Sequence, residues 1–217
     1  MSVKVEVWGD YACFSRPELK VERVSYDIPT PSAARGILSS IYWHPGLEWH
    51  IDRIFILNPI KFINIRRNEM KSKISARAVR TVMSGGKEEL YIATNDDIQQ
   101  RASMILKDVH YVIEAHFTLT DKANETDNAG KFQDSMMRRL RKGQCYSMPY
   151  FGTREFPANF QLYEGGEIKT EYREEEENLG LMLYDLDYSN LENIQPMFFK
   201  ACLKRGVLDL RDCEVLR

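Results

Sequence analysis

The sequence predicts an α+β fold built in the order strand, helix, strand, strand, helix, strand. Three observations carry this. The chain opens on alternating apolar and charged residues. Two amphipathic segments with capping signals, 30–43 and 127–143, interrupt a chain otherwise rich in strand formers. Each is followed by extended runs holding β-branched and aromatic residues. A length of 217 residues fits one large domain, or a domain with a small appendage.

The elements follow in order. In "VKVEVWGDYACF" (3–14), Val3, Val5 and Val7 alternate with Lys4 and Glu6, the pattern of a half-buried strand and not of a signal peptide. "TPSAARGILSSIYW" (30–43) reads as a helix: Thr30 can cap, Pro31 suits the first turn, and His44-Pro45-Gly46 ends it. "LEWHIDRIFILNPIKFINI" (47–65) is strand-like. Ser84-Gly85-Gly86 reads as the tip of an inserted β-hairpin, with "ELYIAT" (89–94) returning, and "ASMILKDVHYVIEAHFTLT" (102–120) as a long strand. "DNAGKFQDSMMRRLRKG" (127–143) is the second helix, with Asp127 or Asn128 as cap and Gly143 as stop. Residues 146–163 return as extended chain, 165–188 read as a hairpin with an acidic turn at 173–178, and 198–210 close the chain. This βαββαβ order is shared by ferredoxin-like and RNA-recognition folds, a scaffold that does not by itself specify a function.

The net charge of −2 hides a strong asymmetry. Residues 61–87 hold eight bases against one acid, and 131–154 hold six against one; residues 164–192 hold ten acids against two bases. Two basic blocks on a mildly acidic chain suggest one face for a polyanion and another that rejects it, although any single charge run is commonly just solvated surface. No apolar run approaches the roughly 20 residues of a membrane span. Cys13, Cys145, Cys202 and Cys213 form no C-x-x-C pair and read as reduced thiols of a cytosolic protein. His44 and His50 are six apart, as are His110 and His116. In extended chain that is roughly 20 Å, too far to share a metal, so neither a metal nor another cofactor is expected.

Projected at about 100° per residue, Phe132, Met136, Met137 and Leu140 gather on the apolar side of the second helix. Lys131, Ser135, Arg138 and Lys142 line the opposite stripe, flanked by Arg139 and Arg141. A helix C-terminus accounts for Arg141 and Lys142 without any ligand, but not for Lys131 at the other end. In the first helix Ala34, Ile37, Leu38 and Ile41 form the core stripe, and Arg35 and Tyr42 share its edge. Helices packed side by side on one sheet face would bring Arg35, Tyr42, Lys131 and Arg138 around one groove.

These segments carry a family likeness. "VWGDYACF", "PTPSAARGILSSIYWHP", "LKDVHYVIEAHF", "NAGKFQDSMMRRLRKGQCYSMPYFGTREF" and "LGLMLYDLDY" stand in the order and spacing that resemble the Cas-five family of CRISPR-associated proteins, in its type I-C (Dvulg) branch. The most specific part is GQC-x-x-x-PY-x-G-x-REF. The resemblance covers nearly the whole chain. It implies an RNA-recognition-like domain (1–163) with a small C-terminal antiparallel β extension (164–217), within the repeat-associated RNA-binding superfamily. It implies an endoribonuclease that cuts the repeat hairpin of precursor CRISPR RNA without metal, by attack of a ribose 2′-OH on the adjacent phosphate. The protein would then keep the 5′ handle and join the backbone and large subunits of a Cascade-like complex in the cytoplasm, with no membrane partner.

The family's catalytic cluster is a Tyr in the first helix with a Lys-His pair at the start of the second. Tyr42 matches the Tyr and Lys131 the Lys, but Phe132 occupies the His position, and Phe cannot move a proton. Three readings follow: Tyr42 with Lys131 suffices; His44, or after it His116, substitutes; or the chain is an RNA-handle clamp that does not cut. With RNA as the ligand, the basic blocks are read as phosphate contacts: Arg138, Arg139, Arg141 and Lys142, with Arg66, Arg67, Arg77 and Arg80. Tyr146, Tyr150 and Phe151 are candidates to stack on unpaired bases, with core packing expected for at least one of them. Arg154 is a further phosphate or partner contact.

Overall fold

In the computed structural model, which describes residues 2–19, 22–87, 89–172 and 176–216, one curled antiparallel sheet dominates. The elements are β1 (Ser2–Ala12), β2 (Arg23–Val24), α1 (Pro31–Ile41), β3 (Leu47–Ile56), β4 (Phe62–Met70), α2 (Ala76–Met83), β5 (Ile98–Leu119), α3 (Ala129–Lys142), β6 (Asn159–Leu162), β7 (Glu177–Asp187), β8 (Gln195–Lys204), β9 (Val207–Asp209) and β10 (Val215–Leu216). The main path runs β10-β8-β9-β3-β5-β1-β6, with β2 and β4 on β5 and β7 on β8.

The 22-residue β5 is the spine. Its C-terminal half lies between β1 and β3, in the register Val5↔Ile113 and His50↔His116. Its N-terminal half pairs with β4 from Phe62↔Leu106 to Met70↔Ile98. The apolar alternation of β1 sets the buried face: Val3, Val5 and Val7 are at most 3% exposed and pack with Ala34, Ile37, Leu38 and Ile41 of α1 and Phe132, Met136 and Leu140 of α3. Each fully buried aliphatic or aromatic side chain contributes about 1.5–3 kcal/mol.

The expected caps are present. The Thr30 hydroxyl accepts from Ala33 N–H, Asn128 Oδ1 accepts from Lys131 N–H, and Gly143 ends α3 in the left-handed region at φ 61°. Gly152 of the PY-x-G motif is also left-handed, at φ 80°, and a Cβ there would stand 1.9 Å from the Cys13 carbonyl oxygen, so only glycine fits.

Three details differ from the sequence reading. The basic insertion is a β4–β5 arm carrying a helix: Ser75 caps α2, Ser84-Gly85-Gly86 terminates it, and 89–94 is not strand. Ser75 supplies the start and the arginines are good helix formers, which the Gly-Gly signal masked. The C-terminal hairpin is β7–β8, turning at 188–194 and not at the acidic run, of which 173–175 lie outside the described residues. Finally, β9 pairs with both β8 and β3, so the C-terminal strands continue the main sheet.

Candidate functional site

The C-terminal end of α1 leaves carbonyls without helical partners, and three groups satisfy them. The Ser40 carbonyl accepts from Tyr146 and Ser147 N–H, both at 2.9 Å, and the Ile41 carbonyl accepts from Arg139 Nη1 at 3.0 Å. The guanidinium of Arg139 also lies over the Tyr42 ring, 5.2 Å from its centroid. These bonds tie α1, α3 and the segment after α3 into one joint.

Phe132 fills the middle of that joint and is fully buried. Its ring meets those of Tyr42 (6.1 Å), His44 (4.8 Å) and Phe117 (6.2 Å). Tyr42 is 8% exposed, so a narrow edge meets solvent, and its hydroxyl has no hydrogen-bond partner among the described residues. Lys131 is half exposed and its Nζ donates to Asp127 Oδ1 at 2.7 Å. The other oxygen of that carboxylate, Oδ2, stands 3.7 Å from His44 Nε2. Hydrogen bonds from Lys131 and from Asn124 N–H hold the Asp127 carboxyl below the usual range. His44 Nδ1 accepts from Gly46 N–H at 3.0 Å, which places the neutral ring's proton on Nε2, facing Asp127. Nδ1 is therefore engaged within the chain, while Nε2 stands too far from Asp127 for a hydrogen bond.

Tyr42 and His44 thus share the Phe132 ring, and His44 and Lys131 share the Asp127 carboxylate. His116 is not among them: Phe117 points at Phe132, so its strand neighbour His116 points to the opposite sheet face. There it bonds Asp52 at 2.8 Å and stacks on His50 at 5.1 Å. Spacing along one strand could not reveal that cross-strand pair. Arg35 is also elsewhere, turned toward β7 and paired with Asp185 at 2.7 Å.

The other basic residues divide into two groups. Arg139 is spent on Ile41 and Tyr42, Arg141 pairs with Glu164 at 3.0 Å, and Arg67 bonds Glu155 and Ser103. Arg66, Arg77, Arg80, Arg138, Lys142 and Arg154 are exposed and meet no carboxylate among the described residues. Of the aromatic candidates, Tyr146 is 67% and Tyr150 37% exposed, whereas Phe151 is fully buried against Phe14 and Tyr111 and cannot stack on a base.

Asp127 was legible only as a possible cap, yet its i,i+4 spacing to Lys131 was the signal for the ion pair. Trp43 was missed altogether; it follows the helix cap and stands 53% exposed.

The chain thus presents a curled antiparallel sheet with α1 and α3 meeting over one face and a basic arm at one end. Residues 2–211 match the family described as CRISPR-associated protein (Cas_Cas5). The chain is 49% identical over 213 residues to the CRISPR pre-crRNA endoribonuclease Cas5d of Mannheimia succiniciproducens, covering 96% of this chain and 94% of that one. It is 43% identical over 229 residues to the protein of the same name from Thermus thermophilus, covering 96% and 90%. This chain belongs to the Cas5d family. A crystal structure of a CRISPR-associated protein superposes with a TM-score of 0.71 at 23% identity, covering 100% of this chain and 97% of the other. A functionally uncharacterized protein from Streptococcus mutans gives the same score and coverage at 21% identity. Among the described residues no helix is long and apolar enough to cross a membrane.

Proposed function

We propose that this chain is a metal-independent endoribonuclease of the type I-C branch that cuts the repeat hairpin of precursor CRISPR RNA and keeps the 5′ handle. It then joins the backbone and large subunits of a surveillance complex in the cytoplasm. The observation that carries the reading is the chain of contacts at the α1–α3 joint, in which Lys131 pairs with Asp127, Asp127 stands 3.7 Å from His44, and His44 and Tyr42 both pack on Phe132. The relatives' name, pre-crRNA endoribonuclease, supports the substrate. The antiparallel order β3-β5-β1-β6 supports a ferredoxin-like core over 1–163, with 164–217 as its β extension and membership of the repeat-associated RNA-binding superfamily.

In this reading the ribose 2′-oxygen attacks the adjacent phosphorus and the bond to the 5′-oxygen breaks, leaving a 2′,3′-cyclic phosphate and a 5′-OH. Lys131 offsets the charge that builds on the phosphate oxygens. The phenol of Tyr42, both donor and acceptor, takes the proton of the 2′-hydroxyl and gives one to the departing 5′-oxygen. His44 acts as a positioning residue, steadying Asp127 and through it Lys131.

One observation favours a second reading, a handle-binding subunit without catalysis: the position where the family holds His is a fully buried Phe132, with no proton to give. Cleavage of the cognate repeat in EDTA separates the two. A single cut with a 2′,3′-cyclic end, abolished in Lys131→Ala and Tyr42→Phe, supports the nuclease. Tight binding without a cut supports the clamp.

A further inference from the structure

We infer that Trp43 and Tyr146 form a stacking subsite for one unpaired base of the bound RNA, beside the α1–α3 joint. The inference rests on the RNA-binding half of the reading above and adds Trp43, which the sequence did not single out, as the partner of Tyr146. The two side chains are 53% and 67% exposed, yet their rings are 5.9 Å apart and tilted by 34°. Two large aromatic rings left facing water on a chain with a well-filled core call for an occupant.

The pair is held in place and does not drift on a loop. Trp43 follows the α1 cap, and Tyr146 is fixed by its N–H to the Ser40 and Ile41 carbonyls. At 5.9 Å the rings already contact each other, so a base lies across their outer surface and not between them. A groove of about 270 Å³ adjoins the pair, lined also by Ser39 and Ser147. Neither of those hydroxyls is hydrogen-bonded among the described residues, so both can meet the edge of a base. Lys142, exposed and without a carboxylate partner among the described residues, ends α3 four residues before Tyr146. Aromatic faces next to unpaired cations are the combination that binds single-stranded nucleic acid: stacking for the base, charge for the phosphate. That charge favours RNA over a protein segment as the occupant.

The test uses the full chain with two probes: a short oligoadenylate and an abasic ribose-phosphate oligomer of equal length. Emission of Trp43 is isolated as the difference between wild type and Trp43→Phe, because Trp8 and Trp49 also emit. Oligoadenylate should quench Trp43 and the abasic oligomer should not. Trp43→Ala and Tyr146→Ala should each weaken oligoadenylate binding roughly tenfold and leave abasic binding unchanged. Equal response to both probes, or none, overturns the inference and leaves the pair as a surface for a protein partner. Base-dependent quenching on a chain that fails to cut the repeat hairpin would uphold the subsite while defeating the nuclease reading.

Discussion

The α1–α3 joint and the β4–α2–β5 arm are both basic and, among the described residues, each holds free cations, but the cations around Phe132 are partnered and those on α2 are not. In the joint, Arg139 serves a helix-end carbonyl, Arg141 and Lys131 have carboxylate partners, and Phe132 is sealed beneath them. On the arm, α2 buries no side chain, Met83 is 81% exposed, and Arg66, Arg77 and Arg80 stand free of carboxylates among the described residues. Charge that is already partnered has fixed geometry and suits chemistry at one phosphate. Charge that is unpartnered suits neutralising a backbone. A count of basic residues treats the two alike.

Substitutions should separate the regions, and the largest effect belongs to the joint. Lys131→Ala is expected to lower the single-turnover cleavage rate by about 10²–10³. Its melting temperature should fall modestly, because the nearly buried Asp127 carboxylate loses its main partner. Phe132→Ala should cost about 3–5 kcal/mol of stability, the loss of a fully buried ring, read by denaturant unfolding. Met83→Ala on the arm should stay within about 0.5 kcal/mol. Arg139→Ala should lose about 1 kcal/mol of stability, since the Ile41 carbonyl loses its charged donor and keeps only Tyr146 N–H, with no change in the salt dependence of RNA binding. Arg77→Ala with Arg80→Ala should leave stability alone and flatten the plot of log affinity against log salt, by about 0.7–0.9 in slope for each phosphate contact removed. A salt slope that follows Arg139 and ignores Arg77 would reverse the comparison.

Acid sharpens it further. The fold lowers the Asp127 pKa, chiefly through Lys131, and so stabilises the carboxylate. That contribution is complete above the ordinary aspartate value of about 3.9 and is lost as pH falls through the lowered one. Asp127→Asn should therefore be less stable than wild type near neutrality, and the two should converge in strong acid, as thermal melts across pH would show.

Much of this was legible in the sequence where one element decides. Thr30, Asn128 and Gly143 bound their helices as their capping chemistry requires. The apolar stripe of α3 put Phe132, Met136 and Leu140 in the core. That α1 and α3 meet over one sheet face followed from their apolar stripes, and Tyr42 packs on Phe132 there. What was not legible depends on a second element. The partners of Arg35, Arg67 and Arg141 are Asp185, Glu155 and Glu164, brought from distant segments, and Arg139 differs from Arg138 only in which carbonyl it reaches. Phe151 alternates with exposed neighbours but is drawn in by the turn that Gly152 permits. The Ser84-Gly85-Gly86 signal was real, yet it ended a helix and not a hairpin.

The measurement that bears most directly on this division of labour is single-turnover cleavage of the repeat hairpin, with affinity and saturated rate determined separately for Lys131→Ala and for Arg77→Ala with Arg80→Ala. The account predicts that the joint variant binds as wild type but cuts slowly, and that the arm variant binds weakly but cuts at the wild-type rate once saturated. Loss of affinity from Lys131→Ala with an unchanged saturated rate would contradict it.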